Sequence, residues 1–269
     1  ANEALQRSKR LAALGEMAAG ISHEIRNPLG SIRLYTRMLQ EDLAEMPEQC
    51  SIVDKIGRAV TGLDQIVGDV LSFSREMRVR PAMTSSAMVI DDAVNACVAT
   101  LDGLEVKTEV ASGCEEIHCD PSMVHQALIN IIRNGAQATK DHGGRHMQIS
   151  VLKGAESGFE IAVSDSGGGI DEEVIERMFN PFFTTRAAGT GLGLSIVHRI
   201  MDAHSGSVRV ENKADDSGWT QGAKVSLLLP SRISERLSDE GHPQIVVRAG
   251  RMSHGASNEI EQAAQGEVA

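Results

Sequence analysis

The chain has 269 residues, 41% of them apolar, enough for two modest cores, and a net charge of −11. The acidic surplus falls in residues 81–230, with 11 basic and 20 acidic side chains, which excludes the basic face of a nucleic-acid binder. No apolar run approaches the ~20 residues of a membrane span, and Cys50, Cys97, Cys114 and Cys119 are too few for a disulfide framework and fit a reducing compartment.

Residues 8–44 carry apolar or small side chains at Leu11, Leu14, Ala18, Ile21, Ile25, Pro28, Ile32, Tyr35 and Leu39, running on to Leu43. Steps of three and four are the seam of a helix packed in a bundle. Met46-Pro47-Glu48 breaks the pattern, because proline lacks the N–H that would continue it. A second seam follows at Ile52, Ile56, Val60, Leu63, Val67, Val70 and Ser74. The two predict an antiparallel helical hairpin over residues 1–80, ended by Arg80-Pro81. A lone hairpin buries too little, so dimerisation into a four-helix bundle is expected.

From about residue 83 helices and strands alternate. Asp91 to Leu101 reads as a helix, Val106 to Ala111 as a strand, and Pro121 to Thr139 as a long helix capped by Asp120. Met147 to Leu152, Phe159 to Ser164, Ser207 to Glu211 and Ala223 to Leu229 read as strands, and Gly189 to His204 as a glycine-rich turn entering a helix. Cys114, His118 and Cys119 match no common zinc spacing and read as a strand end running into Asp120-Pro121. Residues 81–230 are thus an α+β unit with a mixed sheet packed on helices. Residues 231–269 are polar and patternless apart from Ile245-Val246-Val247, and are expected to be largely disordered.

On the first helix, Ile21 and Ile25 face the bundle, so His23 lies about 200° around from each and points to solvent. Pro28 cannot donate to the carbonyl of Glu24, which should loosen the helix one turn after His23. A neutral imidazole attacks through one nitrogen, and a neighbouring carboxylate that accepts from the other fixes its tautomer; Glu24 is placed for this. Asn27, four residues on, shares the face and could orient a water. A lone histidine here reads far more readily, by roughly ten to one, as a solvated surface residue, and the other eight histidines keep that bland reading. The string His23-Glu24-Ile25-Arg26-Asn27-Pro28-Leu29-Gly30-Ser31-Ile32 nevertheless resembles the H box of two-component sensor histidine kinases, in the branch that includes the nitrogen-regulation sensors. The resemblance implies that His23 is phosphorylated, Glu24 is the base, and Asn27 supports dephosphorylation of the partner.

Asn130 and Asn134 are four apart on one helix face, and a carboxamide oxygen is a hard, neutral ligand suited to Mg²⁺. Asp165 ends the apolar strand Ile161-Ala162-Val163 and precedes Gly167-Gly168-Gly169. It can accept from the exocyclic amine of adenine, with the glycines letting backbone approach the ring. Gly189-Thr190-Gly191-Leu192-Gly193 brings backbone N–H groups and a helix N-terminus to phosphates. No Gly-Lys-Ser/Thr and no Gly-x-Gly-x-x-Gly is present in these stretches, so neither a P-loop nor a dinucleotide fingerprint applies. The ordered set of Asn130/Asn134, Asp165-x-Gly167-x-Gly169, Phe179-Asn180-Pro181-Phe182-Phe183, Gly189-x-Gly191-x-Gly193 and Gly222-Ala223 is similar to the N, glycine and F boxes of the histidine-kinase ATPase domain, shared with gyrase, mismatch-repair ATPases and the heat-shock chaperone.

That resemblance, over about residues 8–230, implies ATP and Mg²⁺ as cofactors, Asn134 as the metal ligand, Asp165 as the adenine ligand and residues 171–188 as a lid over ATP. The lid phenylalanines are explained by core packing. Arg186 could reach the terminal phosphate or be simply solvated. Where many family members place Lys three residues after the magnesium-binding Asn, this chain has Gln137, leaving phosphate charge to Mg²⁺ and to Arg133 or Arg186. The implied protein is a homodimeric histidine kinase that autophosphorylates His23, passes the phosphoryl group to an aspartate on a response-regulator receiver domain and dephosphorylates that regulator. No nucleic-acid partner and no membrane contact from this segment are expected. The start at Ala-Asn-Glu, without Met, fits the cytoplasmic part of a longer sensor, membrane-anchored or not. Two rivals are an ATP-driven conformational machine, which would have no use for the H-box string, and a dimeric scaffold that binds ATP only for its shape.

Overall fold

A computed structural model describes residues 25–74, 77–154, 158–186, 189–214, 220–231 and 246–248. His23, Glu24 and the earlier seam positions lie outside the described residues. Residues 25–42 are helical (α1) and include Pro28; a short turn leads to α2 (Pro47–Ser74). Pro47 opens α2, where its missing N–H would have had no intrahelical partner. The helices run antiparallel: Gln40 donates to the Asp54 carboxylate near the turn, and Arg26 faces Asp64 at 3.7 Å further along.

Among the described residues, Leu29, Thr36, Val53 and Val60 are buried in the hairpin, and Asp69 is buried near the end of α2. Most of the expected seam is not among them. Ile25, Ile32, Tyr35 and Leu39 on α1, and Ile52, Ile56 and Leu63 on α2, remain exposed, Tyr35 by 61% and Ile52 by 57%. Two helices meet along one narrow line, so a broad apolar stripe cannot be covered by a single neighbour.

The second unit is built on a six-stranded mixed sheet. Its order is β2 (Glu105–Val110), β4 (His146–Lys153), β5 (Phe159–Asp165), β7 (Thr220–Leu229), β6 (Ser207–Ala214) and β8 (Val246–Arg248). The β2–β4 and β6–β8 pairs are parallel and the others antiparallel. A separate ribbon pairs β1 (Ala82–Ser85) with β3 (Glu116–Cys119). The helices are α3 (Ser86–Ala96), α4 (Val98–Leu101), α5 (Pro121–Asp141), α6 (Glu172–Ile175) and α7 (Gly193–Ala203).

The alternation Met147, Ile149, Val151 on β4 and Ile161, Val163 on β5 turns one sheet face onto Leu128, Ile132, Ile196 and Ile200 of α5 and α7, all within 2% of complete burial. The other face is polar yet also buried at its centre. There Glu160 accepts from Ser226 at 2.9 Å and pairs with Lys224 at 2.8 Å and Arg209 at 3.7 Å. Burial alone would push its carboxyl up, but these partners hold it below the usual value. Cys97, Cys114 and Cys119 are buried.

Helix starts follow their caps. Asp120 Oδ1 accepts from the N–H groups of Ser122 and Met123, at 3.1 and 3.2 Å, and starts α5 as expected. The helix read as Asp91 to Leu101 instead begins at Ser86, because Ser85 Oγ accepts from the Met88 N–H, and it breaks at Cys97 before α4. His204 at the end of α7 donates through Nδ1 to the Ile200 carbonyl at 2.7 Å and accepts at Nε2 from the Asp120 N–H at 3.0 Å. It thereby ties α7 to the cap of α5. In the stretch expected to be disordered, residues 246–248 form the edge strand β8, with Val247 opposite Val210. Parallel pairing satisfies backbone groups that β6 would otherwise leave open.

Candidate nucleotide site

A cavity of about 600 Å³ opens between α5, the end of β5, the segment before α7 and the last turns of α2. Asn130 and Asn134 reach it from one face of α5, and that face continues at the same spacing through Ala138 to His142. Asp165, Gly169, Arg186, Gly189, Thr190, Gly191 and Gly193 also line it. Residues far apart in the chain are therefore gathered around one volume of nucleotide size.

At one end, Asp165 is buried at the C-terminal end of β5. Its Oδ1 accepts from the Gly167 N–H at 2.9 Å and the Ala223 N–H at 3.2 Å, so the carboxylate is fixed in orientation while Oδ2 makes neither bond. Burial pushes the carboxyl up, against the opposing effect of those two N–H groups and of Lys213 and His142. The backbone must come very close here. A Cβ on Gly222, whose φ is +121°, would sit 2.0 Å from the Asp165 carbonyl oxygen.

At the other end, Arg186 donates to Asn134 Oδ1 at 3.2 Å and to the Asn134 carbonyl at 3.1 Å. A guanidinium thus engages the carboxamide oxygen expected from the sequence to bind metal. Arg133 lines the cavity beside it, whereas Gln137 turns aside to donate to Asp141 at 2.7 Å. The backbone before the glycine-rich turn is pinned at Phe182, which holds a left-handed φ of 66° and donates its N–H to the Gly191 carbonyl. Gly191 at φ +65° has no room for a side chain, since a Cβ would lie 2.5 Å from the Phe182 carbonyl carbon. Phe179 and Phe183 pack into or against the core, and the Arg177 guanidinium stacks on the Phe183 ring at 4.6 Å.

Three of the expected nucleotide residues do not line the cavity. Gly167 and Gly222 stand behind Asp165 and shape its surroundings. Leu192 has its side chain in the core, and its N–H donates to Thr190 Oγ1 at 3.2 Å, because the helix that follows needs an apolar anchor at its start.

Two wall residues escape the reading of motifs. Asp69 of α2 is buried and accepts from the Thr190 hydroxyl at 2.8 Å, joining the hairpin to the glycine-rich turn before α7. Arg199 of α7 also donates to the Phe73 carbonyl and stacks on the Phe73 ring. His142 is the second, and the continued spacing of four from Asn134 was the signal that could have found it. On the hairpin, Asn27 is exposed. Among the described residues, no cluster of three or more His, Cys, Asp or Glu side chains forms a metal site, and no helix is long and apolar enough to cross a membrane.

Comparison with known proteins agrees with this arrangement. Residues 13–77 match the His Kinase A (phospho-acceptor) domain, and residues 119–233 match the histidine kinase-, DNA gyrase B- and HSP90-like ATPase family. The signal transduction histidine-protein kinase AtoS of Escherichia coli K12 is 31% identical over 230 residues, covering 84% of this chain and 36% of AtoS. The sensor histidine kinase ZraS of Escherichia coli O157:H7 is 31% identical over 235 residues, covering 86% of this chain and 49% of ZraS. The chain therefore spans half or less of the length of these relatives.

Among solved structures, histidine kinase ThkA in complex with the response regulator protein TrrA is similar with a TM-score of 0.59 and 26% identity, over 87% of this chain and 67% of that one. Full-length ShkA in complex with AMPPNP shares the fold, with a TM-score of 0.64 and 24% identity over 82% of this chain and 46% of that one. With a phosphoacceptor-type hairpin and an ATPase-type domain matched in that order, and relatives that span both, the chain belongs to the two-component sensor histidine kinases and carries their catalytic core.

Proposed function

We propose that this core binds ATP in the cavity between Asp165 and Asn134, transfers its γ-phosphoryl group to His23, and passes it on to an aspartate of a response-regulator receiver domain. The observation that carries the reading is the docking of the cavity on the hairpin. Thr190, in the turn assigned to the phosphates, is bonded to Asp69, and Arg26, three residues from His23 in sequence, pairs with Asp64 of the same helix. The donor site thus sits at the end of the hairpin that carries the residues around the acceptor. Phosphoryl transfer asks mainly for this kind of positioning and for charge neutralisation.

In this reading residues 1–80 are the dimerisation and phosphoacceptor unit, 81–230 the ATP-binding unit and 231–269 a tail. Asp165 accepts from the adenine amine, and the N–H groups of Gly189 to Gly193 meet the phosphates with Arg186. Asn134, whose Oδ1 is turned into the cavity, and Asn130 fit a hydrated hard cation better than a soft one. Magnesium held there would neutralise phosphate charge. Glu24 is assigned as the base at His23, and Asn27 as the residue that places water for dephosphorylation of the regulator. The open apolar stripe of α1 and α2 supports a homodimer closed into a four-helix bundle. The ThkA–TrrA complex and the AMPPNP-bound ShkA support the partner and nucleotide classes by likeness. The shorter span than AtoS and ZraS supports a sensor region elsewhere in a longer protein; in this reading the present segment is assigned to the cytoplasmic side.

The test is incubation with γ-labelled ATP. Label that is stable in base, lost in acid and absent from His23→Gln is expected. Release of label as free phosphate without a protein-bound form would overturn the reading.

A further inference from the structure

The last turns of α2 lie against α7 and the glycine-rich turn before it. Val70 and Phe73 pack on the ATPase core, and Arg199 stacks on the Phe73 ring at 4.9 Å and donates to the Phe73 carbonyl. Asp69, one turn before Phe73, is a wall residue of the cavity; it is buried and accepts from the Thr190 hydroxyl at 2.8 Å. An ionised carboxylate can only accept, so the one hydrogen of that hydroxyl goes to Asp69 and its lone pairs are left for the chain. The Leu192 N–H donates to one of them at 3.2 Å. Leu192 is the N-cap residue of α7 and makes no side-chain cap bond, so its N–H belongs to the donors assigned above to the phosphates. With α2 docked, an anion from the hairpin therefore faces the turn and one of the turn's amides is already committed.

We propose that Asp69 stands in for a phosphate group on this turn, so that docking of the ATPase unit on the hairpin and tight binding of the triphosphate compete. The inference rests on the ATP reading above and adds to it a residue that lies in the other unit and outside every nucleotide motif. The Asp69 carboxylate and a phosphate chain brought to the same turn repel, and the repulsion grows with each phosphate. Undocking of α2 carries the carboxylate away and frees the Thr190 hydroxyl and the Leu192 N–H for the nucleotide. By linkage, whatever factor docking removes from ATP affinity, ATP removes from docking.

The experiment measures the dissociation constants of ATP, ADP and adenosine by displacement of a fluorescent nucleotide, in the unmodified protein and in Asp69→Asn and Phe73→Ala. Asp69→Asn keeps an acceptor for Thr190 and removes the charge. Phe73→Ala loosens the docking and leaves every charge in place. Both are expected to raise ATP affinity about tenfold, an ordinary size for coupling between two sites, and ADP affinity by less. Adenosine affinity is expected to stay unchanged, which also reports that the site is folded. The ratio of the ATP and adenosine constants is the readout, because a merely structural loosening moves all three ligands together. An unchanged ratio in either variant, with ATP bound by the unmodified protein, overturns the competition and leaves the ATP reading standing. Failure of the unmodified protein to bind ATP overturns both.

Discussion

The hairpin and the ATPase unit are both built with amphipathic helices, yet they end in opposite states. In the ATPase unit Ile132 and Ile196 are completely buried and Ile161 and Ile200 are 1% exposed, whereas in the hairpin Tyr35, Ile52 and Leu63 are at least half exposed. A sheet offers each helix a broad apolar floor, and a second helix offers only a line. One region completes its core within the chain. The other leaves its stripe open, and the contrast predicts which mutations act on chemistry, on assembly and on folding.

The largest effects should separate the two regions by activity. His23→Gln is expected to abolish phosphorylation while leaving ATP affinity nearly unchanged, and Asp165→Asn to lose most ATP binding with the hairpin intact. Nucleotide titration beside a labelling assay reads both, and retained labelling in His23→Gln would remove the acceptor assignment. Between Glu24 and Asn27 a finer division is expected. Glu24→Ala should slow autophosphorylation by roughly 10²–10⁴-fold, the usual worth of a positioned base. Asn27→Ala should spare autophosphorylation and impair dephosphorylation of the regulator, and the reverse pattern would sink the division of labour.

The contrast in burial has its own test. Ile132→Ala in the ATPase core should cost about 2–5 kcal/mol, read as a shift in denaturant midpoint. Ile52→Ala should leave the stability of the ATPase unit unchanged and instead weaken self-association of residues 1–80, which sedimentation at several concentrations would detect. A folded monomer of that fragment at micromolar concentration would break the comparison.

The smallest effect is one of pH. His204 is wholly buried with both nitrogens engaged, and burial holds its pKa below the ordinary 6.5. The folded state therefore keeps it neutral while the unfolded chain takes up a proton below that value. Its contribution is complete above about pH 6.5 and is lost as pH falls toward the depressed folded value. Urea midpoints taken down a pH series should fall in this window, and less steeply in His204→Gln.

Much of the site was legible because its residues carry chemistry at short spacing. Asn130 and Asn134 announce a helix face, and Asp165 announces a strand end before glycines. His142 and Asp69 were not legible. The first continues the four-residue spacing of Asn130 and Asn134 but lies past the last motif residue, at the end of the helix, and the second belongs to another unit, with no local pattern that distinguishes it from a surface polar residue. Leu192 was misplaced for a related reason: within a glycine-rich string its neighbours line the cavity, while the turn directs its own side chain inward.

The sequence by itself determined the hairpin, the mixed α+β unit and the order of the nucleotide elements, since helical periodicity, strand alternation and capping are local effects of side-chain size and backbone hydrogen bonding. Only the tertiary structure decided that Asp69 reaches Thr190, that Arg186 engages Asn134, that β8 closes the sheet edge, and which apolar face of the hairpin stays open. Those outcomes depend on which surfaces compete for the same burial, and that competition is settled across residues far apart in the chain.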